Sequence, residues 1–123
     1  MSEASPNAIH WFEIPATDLD RAANFYEAVL ATKLRRAEFG YAMAIFQYAQ
    51  PGIGGAIIQS PKLKPSAEGT LVYLNCPALD EAVARIEPAG GKVLLPKTEI
   101  AGGFGFEAIL QDTEGNRVAL HTR

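Results

Sequence analysis

At 123 residues the chain has room for one domain, or for two halves that share a core. A formal net charge of −3, with basic residues scattered apart from Lys33, Arg35 and Arg36, excludes the basic face that nucleic-acid binding requires. No apolar run approaches the ~20 residues of a membrane span, and residues 1–7 are polar where a signal peptide would be apolar, so the expected place is the cytoplasm, with no membrane partner.

In chain order, residues 9–14 are β-branched and aromatic and predict a strand that Pro15 ends. Asp18 is a good N-cap for a helix over 19–31, where Leu19, Ala22, Ala23, Tyr26, Val29 and Leu30 recur at helical spacing. Three strands follow, over 34–38, 41–48 and 55–59, with turns at Gly40 and at Pro51-Gly52. Residues 61–69, with two prolines and two lysines, read as a linker. The second half begins with a strand over 70–76. A helix over 79–87 places Leu79, Ala82, Val83 and Ile86 on one face and stops at Pro88 and Gly90-Gly91. Strands over 92–95, 104–111 and 117–121 complete it, the last two joined by the turn Asp112-Thr113-Glu114-Gly115-Asn116.

The halves repeat one another. Pro15-Ala16-Thr17-Asp18-Leu19-Asp20 matches Pro77-Ala78-Leu79-Asp80, with the prolines 62 apart. The turn at Pro51-Gly52 and the strand after it match the turn at Glu114-Gly115 and its strand, again at about 62. Aligning Leu19-Asp20 with Leu79-Asp80 gives 60 for the first match, and two matches in the same order at nearly the same spacing point to a duplicated βαβββ module of about 60 residues, first over about 8–60 and again over about 70–122. One cysteine, Cys76, excludes an internal disulfide. It ends an apolar run with no charged neighbour to activate it, so it reads as a buried structural thiol.

Strand alternation sorts the side chains of each module. In the first strand Phe12 and Ile14 face the helix, leaving Trp11 and Glu13 inward. In the strand over 70–76, Val72, Leu74 and Cys76 face the helix, leaving Leu71, Tyr73 and Asn75 inward. In the last strand Val118 and Leu120 face the helix, leaving Ala119 and His121 inward. Carrying the offset of 62 back from this last strand makes Ile57 and Gln59 inward in the first half. Glu13, Gln59, Tyr73 and His121 then form a polar set at four related positions.

Trp11-Phe12-Glu13-Ile14-Pro15 followed by Asp18-Leu19-Asp20-Arg21-Ala22 and Phe25-Tyr26, with Ala89-Gly90-Gly91-Lys92-Val93 and Asp112-Thr113-Glu114-Gly115-Asn116, resembles the vicinal oxygen chelate superfamily. That superfamily holds glyoxalase I, extradiol dioxygenases, fosfomycin-resistance enzymes and bleomycin-resistance proteins. The resemblance implies an α+β fold in which two modules form a cupped, mixed, eight-stranded sheet with the helices outside. In the metal-dependent relatives it implies a divalent cation held by His, Glu or Gln on the first and last strands of each module. Trp11, Ile57, Leu71 and Ala119 stand at those positions here, and none is a ligand type, so no metal and no other cofactor is expected.

The expected function is therefore a pocket for a small apolar or aromatic molecule, with Trp11, Glu13, Gln59, Tyr73, Asn75 and His121 contacting it. The alternative is a lyase or dioxygenase-type enzyme. It would use Glu13 and His121 as catalytic groups, either with a divalent metal displaced to Glu13, Gln59 and His121 or with Glu13 as general base. A homodimer is expected in either case, side by side or with modules exchanged.

Overall fold

A computed structural model describes residues 7–123, so most of the polar N-terminal stretch lies outside the described residues. Its elements are β1 (Trp11–Pro15), α1 (Leu19–Leu30), β2 (Arg35–Glu38), β3 (Ala42–Ile45), β4 (Gly54–Gln59), β5 (Val72–Asn75), α2 (Leu79–Ile86), β6 (Lys92–Glu99), β7 (Phe106–Gln111) and β8 (Arg117–Thr122). The duplicated βαβββ order of an α+β fold is present.

The eight strands form two four-stranded mixed sheets, ordered β1-β4-β3-β2 and β5-β8-β7-β6. In each, the first strand of a module runs parallel to its last, and the remaining pairs are antiparallel. A helix connects each first strand to the next, because those two strands run parallel at opposite edges of their sheet, beyond the reach of a tight turn.

Each helix is anchored by its own chemistry. Asp18 Oδ1 accepts from the Arg21 amide at 3.0 Å, which caps α1. Ala31 ends α1 at φ 52, a left-handed position more commonly taken by glycine. The buried stripe Leu19, Ala22, Ala23, Phe25, Tyr26 and Val29 docks α1 on its sheet, and Leu79, Ala82 and Ile86 do the same for α2.

One hydrophobic core joins the modules. It gathers Ile14, Phe46 and Ile57 of the first sheet, Leu74, Leu110, Val118 and Leu120 of the second, and the apolar faces of both helices. The helices also touch each other: the Arg85 guanidinium on α2 donates to the Val29 carbonyl near the end of α1, at 3.1 and 2.9 Å. The helix-bearing faces of both sheets thus look toward a common interior, and their other faces look away from it.

The β7–β8 turn locks the modules. Tyr26 Oη, fully buried on α1, donates to Asp112 Oδ2 at 2.7 Å. Asp112 Oδ1 also accepts from the Glu114 and Asn116 amides, while Asn116 Nδ2 donates to the Pro15 carbonyl at 2.7 Å. Gly115 sits at φ +97, the conformation that lets the chain reverse there. Glu114 reaches across to the start of α1. It accepts from the Thr17 and Asp18 amides, from Thr17 and Thr113 hydroxyls, and from Arg21, whose Nε lies 2.7 Å away. Burial works to raise the pKa of Glu114, but these donors outweigh it, Arg21 foremost, and bring it down to about 2.

Candidate functional site

The pairing registers identify which side chains line the outer, concave faces. In the first module Trp11 pairs with Gly54, Glu13 with Ala56, and Ala56 with Ile45. Trp11, Glu13, Tyr41, Met43, Ile45, Gly54, Ala56 and Ile58 therefore share the concave face. Met43, Ile45, Ala56 and Ile58 form a small buried cluster there, with Ala37 and Tyr41 packed against it.

In the second module Tyr73 pairs with Ala119, and Asn75 with His121. His121 in turn pairs with Glu107, and Glu107 with Thr98. Asn75, His121, Glu107 and Thr98 make one polar row across four strands. His121 Nε2 lies 2.7 Å from the Phe104 carbonyl, which can only accept, so Nε2 is the donor there. Tyr73 is 54% exposed beside this row, which makes it a surface ring and not a core one.

The inward assignment of Ile57 and Gln59 does not hold. The helices begin at Leu19 and Leu79, and the equivalent bonds from the Ala16 amide to the Ile58 carbonyl and from the Cys76 amide to the His121 carbonyl put the first strands 76 − 16 = 60 apart and the last strands 121 − 58 = 63 apart. An odd difference reverses the face. Ile57 is a fully buried core residue, and Gln59 turns to the helix side, where its Oε1 accepts from the Leu19 amide at 2.8 Å. Gln59 thus supports the start of α1 and cannot join Glu13 in a metal site or a pocket wall. Phe46 and Phe106 also pack on the helix side.

With the register corrected, the positions that the resemblance assigns to metal ligands hold Trp11, Ala56, Leu71 and Ala119. An indole, an isobutyl group and two methyls do not make a donor set for a hard divalent cation. The displaced set loses Gln59, whose side chain lies on the opposite face. Among the described residues no group of three or more His, Cys, Asp and Glu is placed to hold a metal ion.

The chemistry of the first face centres on Glu13. Tyr41 Oη stands 3.3 Å from both carboxylate oxygens, and Trp11 Nε1 donates to Oε2 at 3.4 Å. These bonds are long, so both oxygens keep capacity for a further donor. The negative charge of Glu13 raises the pKa of Tyr41, which keeps that phenol protonated as a donor. The Tyr48 ring lies over Gly54 and meets Trp11 edge-on, at 6.2 Å between centroids and 72° between planes. A side chain at position 54 would occupy the space of that ring.

Sequence reasoning placed Glu13 and Trp11 correctly on one face but did not join Tyr41 to Glu13. Alternation through Tyr41, Met43 and Ile45 carried that signal. It also passed over Glu107, whose position opposite His121 follows from alternation along β7. Cys76 is buried, and burial raises its pKa, as a structural thiol requires.

Comparison with known proteins agrees with this architecture. Residues 8–120 match the model of the Glyoxalase/Bleomycin resistance protein/Dioxygenase superfamily. A glyoxylase-like domain-containing protein of Didymella fabae is 29% identical over 121 residues, covering 94% of this chain and 93% of its own. Among solved structures, a glyoxalase/bleomycin resistance protein from Albidiferax ferrireducens T118 superposes with a TM-score of 0.75 at 19% identity, over 95% of this chain and all of its own. A V278E mutant of glyoxalase I from Zea mays superposes with a TM-score of 0.71 at 21% identity over 94% of this chain, which spans 46% of that enzyme.

Proposed function

The chain belongs to the glyoxalase/bleomycin resistance protein/dioxygenase superfamily, and from that premise we propose that it binds a small, largely apolar or aromatic molecule on the concave face of its first module, without the metal of its catalytic relatives. One observation carries this reading. Glu13 is a carboxylate over a buried apolar cluster, held among the described residues only by long hydrogen bonds from Tyr41 and Trp11. An apolar surface with one convergent polar group is the usual composition of a small-molecule site. The partly exposed Trp11 and Tyr48 contribute contact area, and Glu13 selects and orients a ligand that brings a donor.

A second copy of the chain completes the pocket in this reading. The concave faces of one chain look away from each other, so the Glu13 face and the Tyr73, Asn75 and His121 face meet only when modules of two copies oppose. The open edges of β1 and β5 supply unpaired backbone for that contact. Between them lies a groove of about 910 Å³ lined by Phe12, Leu30, Phe46, Tyr48, Val72 and Leu74. A homodimer by light scattering, and two binding-deficient variants (Glu13→Gln and His121→Ala) that regain one working site of two on mixing, are the expected results. A monomer at micromolar concentration would refute the composite pocket.

The test of function is calorimetric titration with catechols, aromatic antibiotics and thiol-conjugated aldehydes, run on metal-analysed protein purified without chelator. Binding in metal-free protein that divalent cations leave unchanged is expected. The same carboxylate also favours a second reading, because no ion pair joins Glu13 to a cation among the described residues. A free carboxylate can take a proton from carbon next to a carbonyl. Turnover of an enolisable compound that Glu13→Gln abolishes would establish this catalytic role; a variant that turns over normally would dismiss it.

A further inference from the structure

We infer that the groove between the two modules is a second binding site, for an amphipathic monocarboxylate whose alkyl chain lies along β5 and whose carboxylate meets Arg85. The groove, about 910 Å³ in volume, is formed within one chain, and neither Trp11 nor Glu13 lines it. It is therefore a different site from the face that holds Glu13, and it needs no second copy of the chain to form. Its walls offer apolar surface that solvent reaches. Phe12, Leu30, Leu71 and Val72 line it and are each partly exposed, while Ile9 and Tyr48 line it at 51% and 42% exposed. From Leu71 to Cys76 the wall follows β5 and its flanking residues for about 16 Å. An alkyl chain laid along such a wall leaves water, which is worth about four-fold in affinity for each methylene buried.

The charge in the groove selects the other end of the ligand. Arg85 is the one charged residue among those that line it. Its Nε and Nη2 donate to the Val29 carbonyl at 3.1 and 2.9 Å, which holds the guanidinium in place. Among the described residues Nη1 has no partner, and no ion pair joins Arg85 to a carboxylate, although Glu81 stands one turn earlier on α2. Burial chiefly raises the pKa of the Cys76 thiol, and the positive charge of Arg85 works against that rise, so Arg85 stands at the Cys76 end of the wall. The free Nη1–Nη2 end of the guanidinium can give a carboxylate two parallel hydrogen bonds. A neutral ligand covering the groove would strip water from this cation and supply no counter-charge.

The experiment is calorimetric titration of the native chain near neutral pH with decanoate, hexanoate and decan-1-ol. Decanoate is expected to bind at least about ten-fold more tightly than either, since hexanoate buries fewer methylenes and the alcohol lacks the charge. Arg85→Met, which keeps an apolar stem, should bring decanoate down to the level of the alcohol, and Arg85→Lys should keep the preference. Nuclear Overhauser contacts from the bound decanoate chain to the methyl groups of Leu30 and Val72 are expected in the native chain, so the site is tested even where Arg85→Met does not fold. Equal or tighter binding of decan-1-ol, a preference that survives Arg85→Met, or a bound chain without contact to Leu30 and Val72 overturns the site. Absence of decanoate binding overturns it too, and in a homodimer that result gives the groove to the second copy.

Discussion

Two carboxylates, Glu13 and Glu114, sit in contrasting places and show what each part of the molecule is built for. Glu114, in the β7–β8 turn, has a side chain with no exposed surface and is surrounded by amide, hydroxyl and guanidinium donors from both modules. Glu13, on the face away from the helices, has among the described residues only two long-bonded partners, both from its own module. A fully satisfied buried acid fixes structure; an under-satisfied acid on an apolar face retains hydrogen-bonding capacity for something else. The junction between modules is thus a finished structural element, and the face of the first module is an open one.

The strongest challenge to this contrast is Glu114→Gln. It removes the charge opposite Arg21 and turns one acceptor into a donor facing the Thr17 and Asp18 amides, and should cost about 2–3 kcal/mol in urea unfolding. A stability unchanged by this substitution would end the claim that the turn locks the modules. Tyr26→Phe, which removes a buried hydroxyl from Asp112, should cost about 1–2 kcal/mol by the same assay.

Acid tests the same lock. The folded pKa of Glu114, about 2, is below its ordinary 4.5, so the stability it contributes is complete above pH 4.5 and is lost as pH falls through 2. Unfolding free energy measured between pH 5 and pH 2 should fall in the native protein, and Glu114→Gln should lack this component of the decline.

On the open face the effects should move from stability to binding. Gly54→Ala displaces the Tyr48 ring, an exposed and mobile-ended group, so stability should drop by no more than about 1 kcal/mol while Trp11 fluorescence shifts and ligand affinity falls. Glu13→Gln should change stability least, within about 0.5 kcal/mol, since only long hydrogen bonds are altered. A large loss of stability in Glu13→Gln would make Glu13 a structural residue like Glu114.

Much of this architecture is legible in the sequence because it depends on local rules. The helix stripe from Leu19 to Val29, the Asp18 cap and the strand-ending Pro15 are each encoded within a few residues. The turn at residues 112–116 is readable for the same reason, although its role in joining the modules is not. The partners of Glu114 in the first module lie 93 to 97 residues earlier in the chain. Likewise the first face was read correctly at Trp11 and Glu13 but wrongly at Ile57 and Gln59. Their orientation depends on strand pairing, which the repeat alone misjudged by an odd number of residues.

The sequence by itself determined the two modules, their α+β order and the superfamily to which they belong, because hydrophobic periodicity and turn residues act over short distances. Tertiary structure alone decided that the helix faces share one core, that Gln59 caps α1, and that Tyr41 and Tyr48 gather around Glu13 and Trp11. Those outcomes depend on register and on contacts between distant segments, where a shift of one residue exchanges the two faces of a strand.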